Sequence, residues 1–112
     1  MKYTKLGNSD LTVSRICMGC MGFGDAAKGQ HSWTLDEEHS REMIRHGLKL
    51  GINFFDTAAG YQNGTSEQYL GRALRDYAKR EDVVVATKFL PRTQEDIAAG
   101  ITGQQHIEEM ID

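Results

Sequence analysis

The chain has 112 residues, 39 % apolar and 26 % charged, with a formal net charge of −3. That is the size of one small domain with enough apolar content for a core, and its mild acidity excludes a polybasic surface for nucleic acid or anionic membrane as its main business. No apolar run approaches the ~20 residues that span a bilayer, residues 1–7 lack the apolar stretch of a secretory leader, and two cysteines make no disulfide scaffold.

Taken in chain order, Gly7-Asn8-Ser9-Asp10 is a dense turn signal between residues 3–6 and the alternating Leu11-Thr12-Val13-Ser14, which predicts a β-hairpin. Residues 16–21 read as a short buried strand running into Gly22-Phe23-Gly24, and the polar, aperiodic residues 25–33 read as a loop. Thr34-Leu35-Asp36-Glu37 has the form of a capping box with Thr34 at the N-cap. The helix behind it sets Met43, Ile44, Gly47, Leu48 and Leu50 on one apolar face and stops at Gly51. Ile52-Asn53-Phe54-Phe55 is a strand with Asp56 at its end. Thr65-Ser66-Glu67-Gln68 is a second capping box, followed by Leu70, Ala73, Leu74, Tyr77 and Ala78 at helical spacing. Arg72, Arg75 and Lys79 lie on the polar side of that helix, late, where cations suit the macrodipole. Residues 83–87 are the near-continuous apolar run of a strand buried on both faces, with Lys88 at its end and Pro91 close behind. Ile107, Met110 and Ile111 begin one more helical face.

Alternating strands and helices imply a parallel sheet, either open and doubly wound or part of a (β/α)8 barrel. Asp56 and Lys88 both mark C-terminal strand ends, where barrel enzymes place their chemistry and where an open sheet does so too. Gly19, Gly22 and Gly24 do not spell G-x-G-x-x-G and no helix follows at once, which counts against a dinucleotide-binding open sheet. Singly, Asp56 reads as a turn former, Tyr61 as packing and Lys88 as a solvated cation. Together a carboxylate, a phenol and an ammonium on one sheet edge are the parts for general acid catalysis, with the ion pair partly desolvated. A Schiff base at Lys88 is a competing use of a strand-end lysine. Cys17-Met18-Gly19-Cys20 has C-x-x-C spacing, but no helix follows and the thiols would point to opposite faces of a strand, so both read as free buried thiols.

Gly51-Ile52-Asn53-Phe54-Phe55-Asp56-Thr57-Ala58-Ala59-Gly60-Tyr61 and Gly64-Thr65-Ser66-Glu67-Gln68-Tyr69-Leu70-Gly71 closely resemble the signature of the aldo-keto reductase family. Tyr3-Thr4-Lys5-Leu6-Gly7 with Val13-Ser14-Arg15-Ile16 resembles the family's N-terminal hairpin, and Val84-Val85-Ala86-Thr87-Lys88 its third strand. The branch that includes bacterial reductases and potassium-channel β-subunits is the nearest in flavour. The resemblance implies a (β/α)8 barrel that reduces aldehydes and ketones with NADPH, or less often NADH. Residues 1–112 would be the N-terminal part of one barrel domain, and residues 1–15 the hairpin that plugs its bottom. By position, Tyr61 would protonate the carbonyl oxygen, Lys88 would make that phenol a better acid, and Asp56 would fix Lys88. Gly19, Cys20, Met21 and Asp56 would lie near the nicotinamide. Gln62 stands where the family commonly has glycine, a change expected to affect a loop rather than the chemistry.

A whole barrel takes ~250 residues, and this sequence reaches only the third strand and a third helix. The family's catalytic histidine at the end of the fourth strand has no counterpart in His31, His39, His46 or His106. The expectation is therefore an N-terminal portion of a longer reductase, or a truncated product that is inactive alone, self-associates through its open sheet, or serves as a nicotinamide-binding regulatory module. Its setting is expected to be the cytoplasm, and its ligand a small carbonyl compound rather than nucleic acid or membrane.

Overall fold

A computed structural model of the chain describes residues 1–111. Strands β1 (Tyr3–Lys5) and β2 (Thr12–Ser14) form an antiparallel hairpin in which Thr4 pairs with Val13. Strand β3 (Met18–Gly19), helix α1 (Glu37–Lys49), strand β4 (Phe54–Asp56), helix α2 (Thr65–Tyr77) and strand β5 (Val84–Ala86) follow. The short helix α3 (Gln94–Ala98) and helix α4 (Gly103–Ile111) come last. The sheet is parallel, in the order β3-β4-β5, and Gly19, Asp56 and Ala86 stand at one level across it.

Alternation along the strands divides the sheet into two unlike faces. Phe55 and Val83 point to one side, where they join Cys20, Phe23, Ile44, Ile52, Leu70 and Ala73 in a single buried cluster. Ile44 comes from α1 and Leu70 and Ala73 from α2, so both helices cover the same face. Three consecutive parallel strands with both helices on one face fit a barrel wall and equally one half of a doubly wound sheet. The opposite face carries Gly19, Phe54, Asp56, Val84 and Ala86, none of them fully buried. Arg72 grips Glu37 in a two-pronged contact at 2.6 and 2.9 Å, and Arg41 reaches Asp76 at 2.6 Å, so α1 and α2 are also tied by charge.

The structure corrects several local expectations. Strand β3 holds only two residues, and Ile16 before it is 58 % exposed rather than buried. Asp36, not Thr34, caps α1, because its carboxylate accepts the His39 N–H at 2.9 Å while Thr34 donates to the Gly24 carbonyl. Helix α2 starts after Gly64, at φ 90, with no side-chain cap; the Thr65 hydroxyl turns back to the Gln62 carbonyl. Met43, Leu50 and Tyr77 are exposed, so the apolar stripes of both helices are narrower than their spacing suggests. Strand β5 is only half-buried, because nothing pairs with its far edge among the described residues. On α4 the buried residue is His106, while Ile107, Met110 and Ile111 face out.

Candidate active site

Asp56 ends β4, and Lys88 stands two residues past the end of β5. The ladder between these strands runs on past their ends. The Thr57 N–H donates to the Ala86 carbonyl at 2.8 Å, and the Ala59 N–H to the Lys88 carbonyl at 3.0 Å. The two loops are thereby held side by side above the C-terminal sheet edge. Tyr61 opens a 3-10 turn, Tyr61–Gly64, whose Gln62 and Asn63 adopt φ of 47 and 55. This turn folds the chain back so that the phenol overhangs the edge.

The three expected residues meet at one atom. Lys88 Nζ donates to Asp56 Oδ1 at 3.0 Å, to the Thr57 carbonyl at 2.9 Å and to Tyr61 Oη at 3.3 Å. It also sits 5.0 Å from the centre of the Tyr61 ring. The Asp56 carboxylate, then the Tyr61 hydroxyl, raise the Lys88 pKa above the usual lysine range. An imine-forming lysine needs its neutral amine, and these acceptors hold Lys88 as an ammonium. The pair is more open than a desolvated ion pair, with side chains 52 % and 42 % exposed, so water screens it and it contributes little to stability.

Of the residues expected near a nicotinamide, Gly19 and Met21 are exposed at the end of β3, beside Asp56. A Cβ at Gly19 would meet nothing within 4 Å. Cys20 turns inward and is fully buried. Its N–H goes to the Asp56 carbonyl, and its own carbonyl accepts from Phe23 N–H and from Ser66 Oγ at 2.6 Å. Burial pushes its thiol up to about 12. Cys17, expected to be buried, is exposed. Partial burial, then the Asp56 carboxylate, raises its pKa as well. The two thiols are free, and no cluster among the described residues has the make-up of a metal site.

Three supporting residues, Thr57, Ser66 and Gln62, are not among the site residues that the sequence suggests, although Ser66 is read as part of a capping box and Gln62 as a change in a loop. Ser66 ties the first turn of α2 to the end of β3, and its hydroxyl also lies 3.3 Å from the buried Thr57 hydroxyl. Gln62 is 1 % exposed and fastens the 24–34 segment to the Tyr61 turn. Polar residues next to a catalytic-type tyrosine were the available signal, but their partners are loop carbonyls up to 46 residues away in sequence. No histidine hydrogen-bonds Asp56, Tyr61 or Lys88 among the described residues. His39 pairs with Asp36 on α1, and His106 bonds the Leu90 carbonyl in a packing role.

The profile of the Aldo/keto reductase family matches residues 15–111. The chain is 43 % identical over 89 residues to versiconal hemiacetal acetate reductase of Aspergillus parasiticus, covering 79 % of this chain and 25 % of that protein. It is 38 % identical over 90 residues to a rice protein named "Probable voltage-gated potassium channel subunit beta", covering 79 % of this chain and 25 % of the other. Among solved structures, the holo form of aldo-keto reductase AKR11C1 from Bacillus halodurans superposes with a TM-score of 0.67 at 39 % identity, over 85 % of this chain and 28 % of that one. The chain thus spans about a quarter of the length of the curated relatives it matches. Its hairpin and three parallel strand units have the fold of the corresponding part of a (β/α)8 barrel. This chain belongs to the aldo/keto reductase family.

Proposed function

We propose that this chain supplies the N-terminal part of a cytoplasmic barrel enzyme that reduces small aldehydes or ketones with NADPH, or with NADH as the less frequent alternative. The observation that carries the reading is the convergence of Lys88 Nζ on Asp56, Thr57 and Tyr61. Tyr61 Oη gives its proton to the carbonyl oxygen. The Lys88 ammonium stabilises the negative charge left on the phenol oxygen, and Asp56 holds that ammonium in place. Gly19 leaves an open floor at the strand end where a planar ring can lie, edged by Met21 and Asp56. Gly19, Met21 and Asp56 would hold a reduced nicotinamide there, and it would supply the hydride for the carbonyl carbon. The alcohol forms with one proton from Tyr61, which solvent then returns. Cys20 supports this floor from beneath through its backbone. The hairpin, fastened to the chain before β4 by Asn53, closes the opposite end of the barrel.

The test is a panel of small aldehydes and ketones offered with NADPH to the whole protein. Stoichiometric loss of reduced nicotinamide and gain of alcohol supports the reading; binding of NADPH with no alcohol formed from any substrate defeats it. That second outcome would favour a nicotinamide-binding regulatory protein, a reading supported by the likeness to the rice channel-subunit protein.

A further inference from the structure

Gln62 directly follows Tyr61 and holds φ 47 and ψ 47, a region where residues other than glycine are uncommon. Its side chain accounts for its presence there. Nε2 lies 2.8 Å from the Asp25 carbonyl and 2.7 Å from the His31 carbonyl, and also bonds the Lys28 carbonyl. Oε1 accepts the His31 N–H at 2.9 Å. Apart from a single bridge between Phe23 and Leu35 at its ends, the 24–34 segment pairs with no strand, so this amide replaces a ladder for it. The segment is also shaped around the glutamine. A Cβ on Gly24, at φ 142, would come within 2.5 Å of Gln62 Cβ, and one on Gly29, at φ 77, within 2.6 Å of Gln62 Cα. Thr65 adds a second link, accepting the Asp25 N–H at 2.9 Å and donating to the Gln62 carbonyl at 2.6 Å.

We propose that Gln62 is a positioning residue that locks the 24–34 segment onto the turn bearing Tyr61, so that the loop after β3 meets substrate already ordered. Both the segment and Tyr61 leave the C-terminal edge of the same sheet, so order in one is order at the site. The kinetic half of this inference rests on the proposed carbonyl reduction; the structural half does not.

Trypsin gives a readout without turnover, because the carbonyl of the Lys28–Gly29 bond is itself held by Gln62. Gln62→Gly removes the amide and suits a left-handed backbone, so the fold is kept, as checked by circular dichroism. Gln62→Glu keeps the volume but faces three carbonyls with no donor when ionised and with a single O–H when protonated. In both variants of the whole protein, cleavage after Lys28 should accelerate at least about tenfold, as expected on losing two or more hydrogen bonds that close the segment. KM for the carbonyl substrate should rise severalfold, while the pH profile of kcat in Gln62→Gly stays that of the parent. Unchanged cleavage in both variants overturns the lock. Faster cleavage with unchanged KM overturns the positioning role. A parent protein that turns over no substrate, yet shows faster cleavage in the variants, supports the lock and rejects the reductase reading instead.

Discussion

Replacing Asn53 by alanine tests how the hairpin is fastened to the chain that leads into β4. Asn53 Oδ1 accepts the Ser14 N–H at 2.7 Å, and Nδ2 donates to the Thr12 carbonyl at 3.1 Å. Its backbone N–H donates to Ser14 Oγ at 3.2 Å, a bond that any side chain at position 53 leaves in place. The two lost bonds differ in kind. Ser14 is 2 % exposed, so water cannot replace its partner, and an unpaired buried N–H costs about 1–3 kcal/mol. Thr12 is exposed, so water takes over its carbonyl at little cost. Asn53→Ala should therefore destabilise by about 1–3 kcal/mol through Ser14 alone. Asn53→Asp keeps the buried acceptor but sets an oxygen against the exposed Thr12 carbonyl, where water can come between them, and should destabilise by about 1 kcal/mol less than Asn53→Ala. Urea unfolding of the two variants and the parent, compared at equal m-value, measures both numbers. Equal losses in the two variants would refute the reasoning. So would no loss in either, which would leave the Tyr3 hydroxyl, bonded to the Gly51 carbonyl at 2.7 Å, as the tie that matters.

Three further outcomes follow from packing and charge. The Arg72 contact holds Glu37, and the Arg41 contact holds Asp76, below the usual carboxylate range. Their small contribution to stability is present above that range and lost as pH falls through the lowered values; Arg72→Met should flatten the acid limb of a Tm-against-pH curve, and high salt should do the same to the parent. A thiol reagent should label Cys17 alone in the native chain and Cys20 only after denaturation, as mass spectrometry of the peptides would show; native labelling of Cys20 would contradict its burial. The 112-residue chain alone should self-associate through the unpaired edges of β3 and β5, and a monomeric sedimentation profile at micromolar concentration would contradict that.

Where local chemistry decides the structure, the residues announce it. The turn at Gly7-Asn8-Ser9-Asp10, the stop at Gly51 and the strand end at Asp56 follow from backbone freedom and period, which act over a few residues, whereas β5 ends two residues short of Lys88. The pairing of Asp56, Tyr61 and Lys88 was legible through the family resemblance, and the structure brings the three within hydrogen-bond reach. Tertiary competition hid the rest. Thr34 has the form of a cap, but the Gly24 carbonyl outbids the helix N-terminus for its hydroxyl. Thr65 and Ser66 likewise look like a capping box and are drawn instead to Gln62 and Cys20 carbonyls. Gln62 reads as a polar loop residue, and only the folded path of the 24–34 segment reveals it as that loop's anchor. The choice between barrel and doubly wound sheet is not legible in three strands whose two helices share one face, an arrangement common to both; the likeness to a solved aldo-keto reductase decides it.

The proposed reduction requires Tyr61 as its proton donor. The direct measurement is single-turnover reduction of a carbonyl compound by the whole protein and by Tyr61→Phe, with NADPH affinity measured in parallel. Phenylalanine removes one oxygen and leaves the ring beside Lys88, so cofactor affinity should be retained while the reduction step slows by about 10²-fold or more. A Tyr61→Phe protein that binds NADPH and reduces the substrate at the parental rate would contradict the account.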